Sequence, residues 1–198
     1  ELLDLISEVS KEIVDSMYIG MSWNDDTYNS LDPSEFANKL IDEKIIGLVQ
    51  GNSEHGARAL GNRSIICLPK KGMKDKINAR VKFREPYRPF SPMCREEDKH
   101  RWFNSNSNTM WMAHNARVIN PSESIESIIH YDSTARLQTI TQASNPYLYM
   151  VLSELAHKGF DPIVLNTSFN KQGKPILNTM NEAKWMLENT GLDDLVVL

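Results

Sequence analysis

The chain has 198 residues, enough for one substantial core, and its 40% hydrophobic and 24% charged content is ordinary for a globular protein. Acidic residues outnumber basic ones 26 to 22, which argues against the broad basic face of a nucleic-acid binder. No apolar run approaches the ~20 residues needed to cross a bilayer, and Cys67 and Cys94 make neither a disulfide framework nor a CxxC metal pair. They read as free thiols of a reducing cytoplasm. The chain opens on Glu1 rather than Met and is expected to be a processed chain or a piece of a longer protein, holding part of an active site.

Residues 2–17 place Leu2, Leu5, Ile6, Val9, Ile13 and Met17 on one stripe and predict an amphipathic helix, followed by a polar linker over residues 20–30. Asp32-Pro33 opens the next helix, with Asp32 as cap and Pro33 at the first helical position. Apolar strands are expected over residues 45–50 and 64–68, the second stopped by Pro69. A basic helix is expected over residues 73–81, and then Pro86, Pro89 and Pro92 favour extended backbone. Residues 104–109 form a polar surface loop. Asn145-Pro146 starts a helix that Gly159 stops. Residues 163–165 form a buried strand, Thr179 to Glu182 cap a last helix, and residues 195–198 close the fold as a strand. Alternating helices and strands without repeats predict an α/β domain with a mixed sheet and flanking helices.

The charge is unevenly distributed. Residues 51–90 carry 10 Lys and Arg against 3 Asp and Glu, while the remainder carries 12 against 23. A positive island in an acidic chain points to a local site for an anion. Three stretches supply its parts. Gly56-Ala-Arg-Ala-Leu-Gly-Asn-Arg-Ser64 combines two turn glycines, which can aim backbone N–H groups at a ligand, with Arg58 and Arg63, whose forked donors match phosphate oxygens. Over residues 81–90, an extended strand would bring Lys82, Arg84 and Arg88 to one side, with Lys82 as the compact charge at a reacting phosphoryl or carbamoyl oxygen. Asn166-Thr-Ser-Phe-Asn-Lys-Gln-Gly-Lys-Pro175 leaves the end of an apolar strand, where α/β sheets bind ligands, and offers Asn166, Ser168 and Asn170 as donors and acceptors. Arg136, among Thr134, Gln138 and Thr139, joins the set, whereas His130 is read as structural rather than as a proton-transfer group. The five histidines have no metal-ligand spacing.

In this order the motifs at residues 56–64, 73–78, 81–90, 130–138 and 166–170 resemble those of the C-terminal domain of the O-carbamoyltransferase family, which includes nodulation and antibiotic carbamoyltransferases. Ala57 and Ser133 depart from the family's usual proline and glycine without removing a ligand-binding side chain. The resemblance implies a YrdC-like twisted mixed sheet over residues 21–198, with residues 1–20 as a connector helix toward an N-terminal Kae1/Hsp70-like domain of the same protein. It implies that ATP, with Mg2+, and carbamoyl phosphate form carbamoyl-adenylate and pyrophosphate here, and that the carbamoyl group then passes to a hydroxyl of an acceptor held by that other domain. Its site falls on Arg58, Lys82, Arg88, Arg136 and Ser168. Two alternatives stay open: a threonylcarbamoyl-adenylate domain acting in tRNA modification, and a nucleotide-binding module without catalysis.

Overall fold

A computed structural model of the chain describes residues 30–198. The helix expected over residues 2–17 and nearly all of the following linker lie outside the described residues. Asp32 caps the first described helix, α1 (Pro33–Ile41), its carboxylate accepting from Ser34 N at 2.7 Å with Pro33 in the first turn. There follow β1 (Ile46–Val49), β2 (Arg63–Cys67) and α2 (Met73–Ile77), which runs on into a π-helical turn, Asn78–Lys82. After β3 (Ser91–Arg95) come the short strands β4 (Phe103–Asn104), β5 (Asn115–Val118), β6 (Thr134–Arg136) and β7 (Gln138–Ile140). The chain continues through α3 (Pro146–His157), β8 (Ile163–Ser168), α4 (Met180–Asn189) and β9 (Asp194–Val197). At α4 the expected capping box is complete, Thr179 Oγ1 accepting from Glu182 N while the Glu182 carboxylate accepts from Thr179 N.

Six strands form one mixed sheet in the order β7-β3-β8-β2-β1-β9, and β4-β5-β6 form a second, antiparallel one. In the large sheet β1/β9 and β3/β7 are parallel and the other pairs antiparallel. Period-two alternation divides the strands between two cores. Ile46, Leu48, Ile66 and Val164 pack with Phe36, Leu40, Leu148 and Leu152 of α1 and α3. Ile45, Val49, Ile65 and Leu165 pack on the other face with Ile77, Ala183, Met186 and the small sheet. Because both faces are covered, the central strands carry short continuous apolar runs, such as residues 65–67 and 163–165.

The expected extended run over residues 81–90 is not formed. Lys82 lies in the π-helical turn, Phe83 adopts a left-handed conformation at φ 50°, and the chain becomes a strand only at Ser91. Lys82, Arg84 and Arg88 therefore converge through a folded loop and not through strand alternation. The buried Asn78 side chain shapes that loop, donating to the carbonyls of Pro86 and Arg88 and accepting from Arg84 Nε at 2.7 Å.

Gly47 in β1 leaves room for the Phe169 ring. A Cβ there would stand 2.4 Å from Phe169 Cζ, and Phe169 is fully buried. Gly47→Ala is expected to cost about 1–3 kcal/mol in urea unfolding, and Phe169→Leu in the same chain should restore part of it. An additive loss in the double variant would rule out the contact as the cause.

Candidate functional site

The ends of β3, β6 and β8, with the loops before β2 and β3 and after β8, line a cleft of about 340 Å3. Arg58 reaches it from the loop before β2, Lys82 from the π-helical turn, Arg84 and Arg88 from the loop before β3, and Arg136 from β6. Lys171 and Lys174 also line it, and among the described residues no Asp or Glu does. Asn166, Ser168 and Asn170 supply polar groups from the end of β8.

The loop before β2 is held by a residue that composition does not single out. The Glu54 carboxylate, 6% exposed, accepts from the backbone amides of Leu60, Asn62 and Arg63 at 2.7 to 3.1 Å. Gly61 N donates to Ser64 Oγ. These amides, expected to face a ligand, are engaged within the protein, and the loop contributes Arg58 to the cleft instead. Gly61 has φ +112°, and a Cβ there would meet Asn145 Nδ2 at 2.8 Å, so the turn needs glycine.

Lys82 is 2% exposed. Its ammonium donates to Ser168 O (2.5 Å), Asn170 O (2.8 Å) and Asn170 Oδ1 (2.7 Å), with Ser168 Oγ at 3.3 Å. Burial holds its pKa well below the ordinary lysine range, and Arg84 and Arg88 push it the same way. Arg84, pushed down to about 10 by burial and then by Arg88, stacks 4.6 Å from the Phe90 ring centroid. Burial and then Arg58 lower Arg136. Such mutual repulsion among cations, unrelieved by any carboxylate in the cleft, is what an anionic ligand neutralises.

Of the nine residues expected from sequence, eight line this cleft: Arg58, Lys82, Arg84, Arg88, Arg136, Asn166, Ser168 and Asn170. Arg63 does not. It is fully buried at the start of β2, where its guanidinium donates to the carbonyls of Gln50, Asn62 and Gly51. The arginine that sequence read as a ligand donor is a brace for the turn after β1. Gln138 and Thr139 are likewise engaged internally, Gln138 with Leu60 O and Asn166, and Thr139 with Thr109. His130 does not line the cleft, and its Nδ1 lies 3.3 Å from Thr134 Oγ1. Lys171 and Lys174 were legible only as part of the Asn166 motif, and Lys171 sits 4.2 Å from the Trp185 ring centroid. Glu54 and Asn78 carried no sequence signal beyond lying in or beside the motifs, because their roles depend on backbone groups brought to them by folding.

Residues 37–198 match the family described as Carbamoyltransferase C-terminus. The chain belongs to that family. It is 41% identical over 169 residues to nodulation protein NolO of Bradyrhizobium diazoefficiens, covering 83% of this chain and 31% of that protein. It is 32% identical over 191 residues to the 3'-hydroxymethylcephem-O-carbamoyltransferase of Amycolatopsis lactamdurans, covering 92% of this chain and 36% of the relative. The chain thus spans about a third of the length of these relatives. Full-length HypF in its phosphate- and nucleotide-bound form superposes with a TM-score of 0.58 at 16% identity, over 84% of this chain and 24% of HypF. Escherichia coli YciO superposes with a TM-score of 0.57 at 14% identity, over 83% of this chain and 76% of YciO. The α/β fold is YrdC-like, a mixed six-stranded sheet with helices packed on it. Among the described residues no helix is long and apolar enough to cross a membrane.

Proposed function

We propose that the cleft binds ATP and carbamoyl phosphate and makes carbamoyl-adenylate. The observation that carries this reading is the meeting of seven cationic side chains and no carboxylate in one cleft, in a chain of the carbamoyltransferase family. Cleavage of carbamoyl phosphate by water gives carbamate and inorganic phosphate. A carbamate oxygen then attacks the α-phosphorus of ATP, forming the mixed anhydride and expelling pyrophosphate. That oxygen is already anionic, so the adenylation step needs no general base. What it needs is the two anions held together against their repulsion, which fixed cations supply. Arg58, Arg88 and Arg136 suit phosphate oxygens through their forked donors, and Lys82 suits a single oxygen near the reacting centre. Ser168 would then hydrogen-bond the nucleotide phosphate or the carbamoyl group.

Among the described residues no group of three His, Cys, Asp or Glu side chains stands ready to hold a metal, and the cleft is lined by none. Mg2+ belongs to this reading as a partner of the ATP phosphates. The adenylate is easily hydrolysed, and a closed route to an acceptor hydroxyl on an N-terminal Kae1/Hsp70-like domain would protect it. The chain should release pyrophosphate from ATP only when carbamoyl phosphate is present, and Arg58→Ala should reduce that release by about 10–100-fold. Release that ignores carbamoyl phosphate, or that needs threonine in its place, would sink this reading.

A further inference from the structure

Three buried side-chain atoms in the wall of the cleft have no hydrogen-bond partner among the described residues: Asn166 Oδ1, Ser91 Oγ and Arg136 Nε. Asn166 and Ser91 are 1% and 2% exposed and face each other directly across β8 and β3. The Asn166 amide can point only one way. Its Nδ2 donates to Ala59 O at 3.1 Å and to Gln138 Oε1 at 2.7 Å. Gln138 is itself oriented, since its Nε2 donates to Leu60 O at 2.8 Å. Backbone carbonyls only accept, so these contacts lock both amides and leave Asn166 Oδ1 as a pure acceptor.

A pure acceptor is out of place in a cleft crowded with cations. Phosphate oxygens satisfy the cations but offer nothing to Oδ1, whose burial without a donor is costly. A ligand that reaches this point satisfies Oδ1 only through an N–H or O–H of its own. The Ser91 hydroxyl, able to donate or accept, and the Arg136 Nε donor complete a set matched to a planar group with one carbonyl oxygen and one amide nitrogen. The geometry points to Asn166 and Ser91 as the residues that read the N–H2 end of the carbamoyl group, so that the site distinguishes carbamoyl phosphate from acyl phosphates ending in a methyl. This inference rests on the carbamoyl-phosphate reading above and adds to it the basis of selectivity.

Acetyl phosphate is the direct probe, because it replaces the amide by a methyl of similar size and keeps the phosphoryl group. Carbamoyl phosphate, acetyl phosphate and inorganic phosphate would be titrated calorimetrically into this chain at about pH 8, where the phosphoryl groups are dianionic. A site built to hydrogen-bond an N–H should bind acetyl phosphate about tenfold more weakly or worse. Asn166→Ala would also free Ala59 and Gln138, so the test is placed on Ser91. Ser91→Ala removes only an atom without a protein partner, and it should narrow the carbamoyl-to-acetyl ratio. Equal affinity for the two acyl phosphates overturns the inference and leaves the anion site standing. Failure to bind carbamoyl phosphate at all, with inorganic phosphate still bound, overturns the inference together with the proposed function.

Discussion

Lys82→Met should reduce carbamoyl-phosphate-dependent pyrophosphate release by about 10^3-fold, while leaving the fold intact. The two effects separate because the ammonium is costly to the folded chain. It is 2% exposed, faces no carboxylate in the cleft, and is repelled by Arg84 and Arg88. A methionine of similar length fills the same space without a buried charge, and the Ser168 Oγ to Asn170 Oδ1 hydrogen bond at 2.7 Å remains. The carbonyls of Ser168 and Asn170 lose the ammonium as a donor, which offsets part of that relief, so the melting temperature should change little. The pH dependence has a definite sign. The folded-state pKa is lowered and the unfolded lysine titrates near ~10.4, so between those values the unfolded chain holds one proton more than the folded chain. Stability should therefore rise with pH across that window and fall as pH drops back through it, and Lys82→Met should flatten the slope. Loss of activity together with collapse of the melting transition would assign Lys82 to structure alone.

Glu54→Ala should destabilise the chain by about 3 kcal/mol or more and weaken pyrophosphate binding in the same variant. The carboxylate gathers the amides of Leu60, Asn62 and Arg63, and its negative charge acts on the fully buried Arg63 guanidinium. Without it two buried amides and the part-buried Asn62 amide lose this acceptor, and the buried Arg63 guanidinium loses a favourable opposite charge. The loop that carries Arg58 and Ala59 then has no anchor on its N-terminal side. Glu54→Gln keeps one acceptor oxygen but places an NH2 against donors, so its urea midpoint should fall between wild type and Glu54→Ala. A midpoint for Glu54→Ala unchanged from wild type would show that the loop is held by other contacts.

Much of the molecule is readable from local chemistry. Pro33, Asn145-Pro146 and Thr179 with Glu182 mark helix starts because capping involves residues within four positions of one another. The strands at Ile46–Val49, Arg63–Cys67 and Ile163–Ser168 stand out because both faces of the sheet are covered and each carries a short run of apolar residues. The short strands of the second sheet carry no such run. Asn115–Val118 and Thr134–Arg136 are defined by pairing with each other, which residue type does not announce. Pro92 illustrates the limit. It counts against a central strand, yet it sits in β3, ahead of Met93, where the pairing with β7 begins.

The site divides along the same line. Sequence alone determined that a cationic, glycine-bearing, amide-rich cluster exists and that it includes Arg58, Lys82, Arg84, Arg88, Arg136 and the Asn166 motif, since charge and residue type are local properties. Only the tertiary structure decided which of two neighbouring arginines serves the cleft. Arg58 and Arg63 lie five positions apart in one motif, but Glu54 folds the turn so that Arg58 enters the cleft and Arg63 is buried against the carbonyls of Gln50, Gly51 and Asn62. It also decided that Asn166 presents its oxygen and not its nitrogen, through carbonyls more than a hundred residues away in Ala59 and, by way of Gln138, Leu60. A donor's partner is set by which backbone groups folding brings within about 3 Å, and no pattern of residue types along the chain encodes that distance.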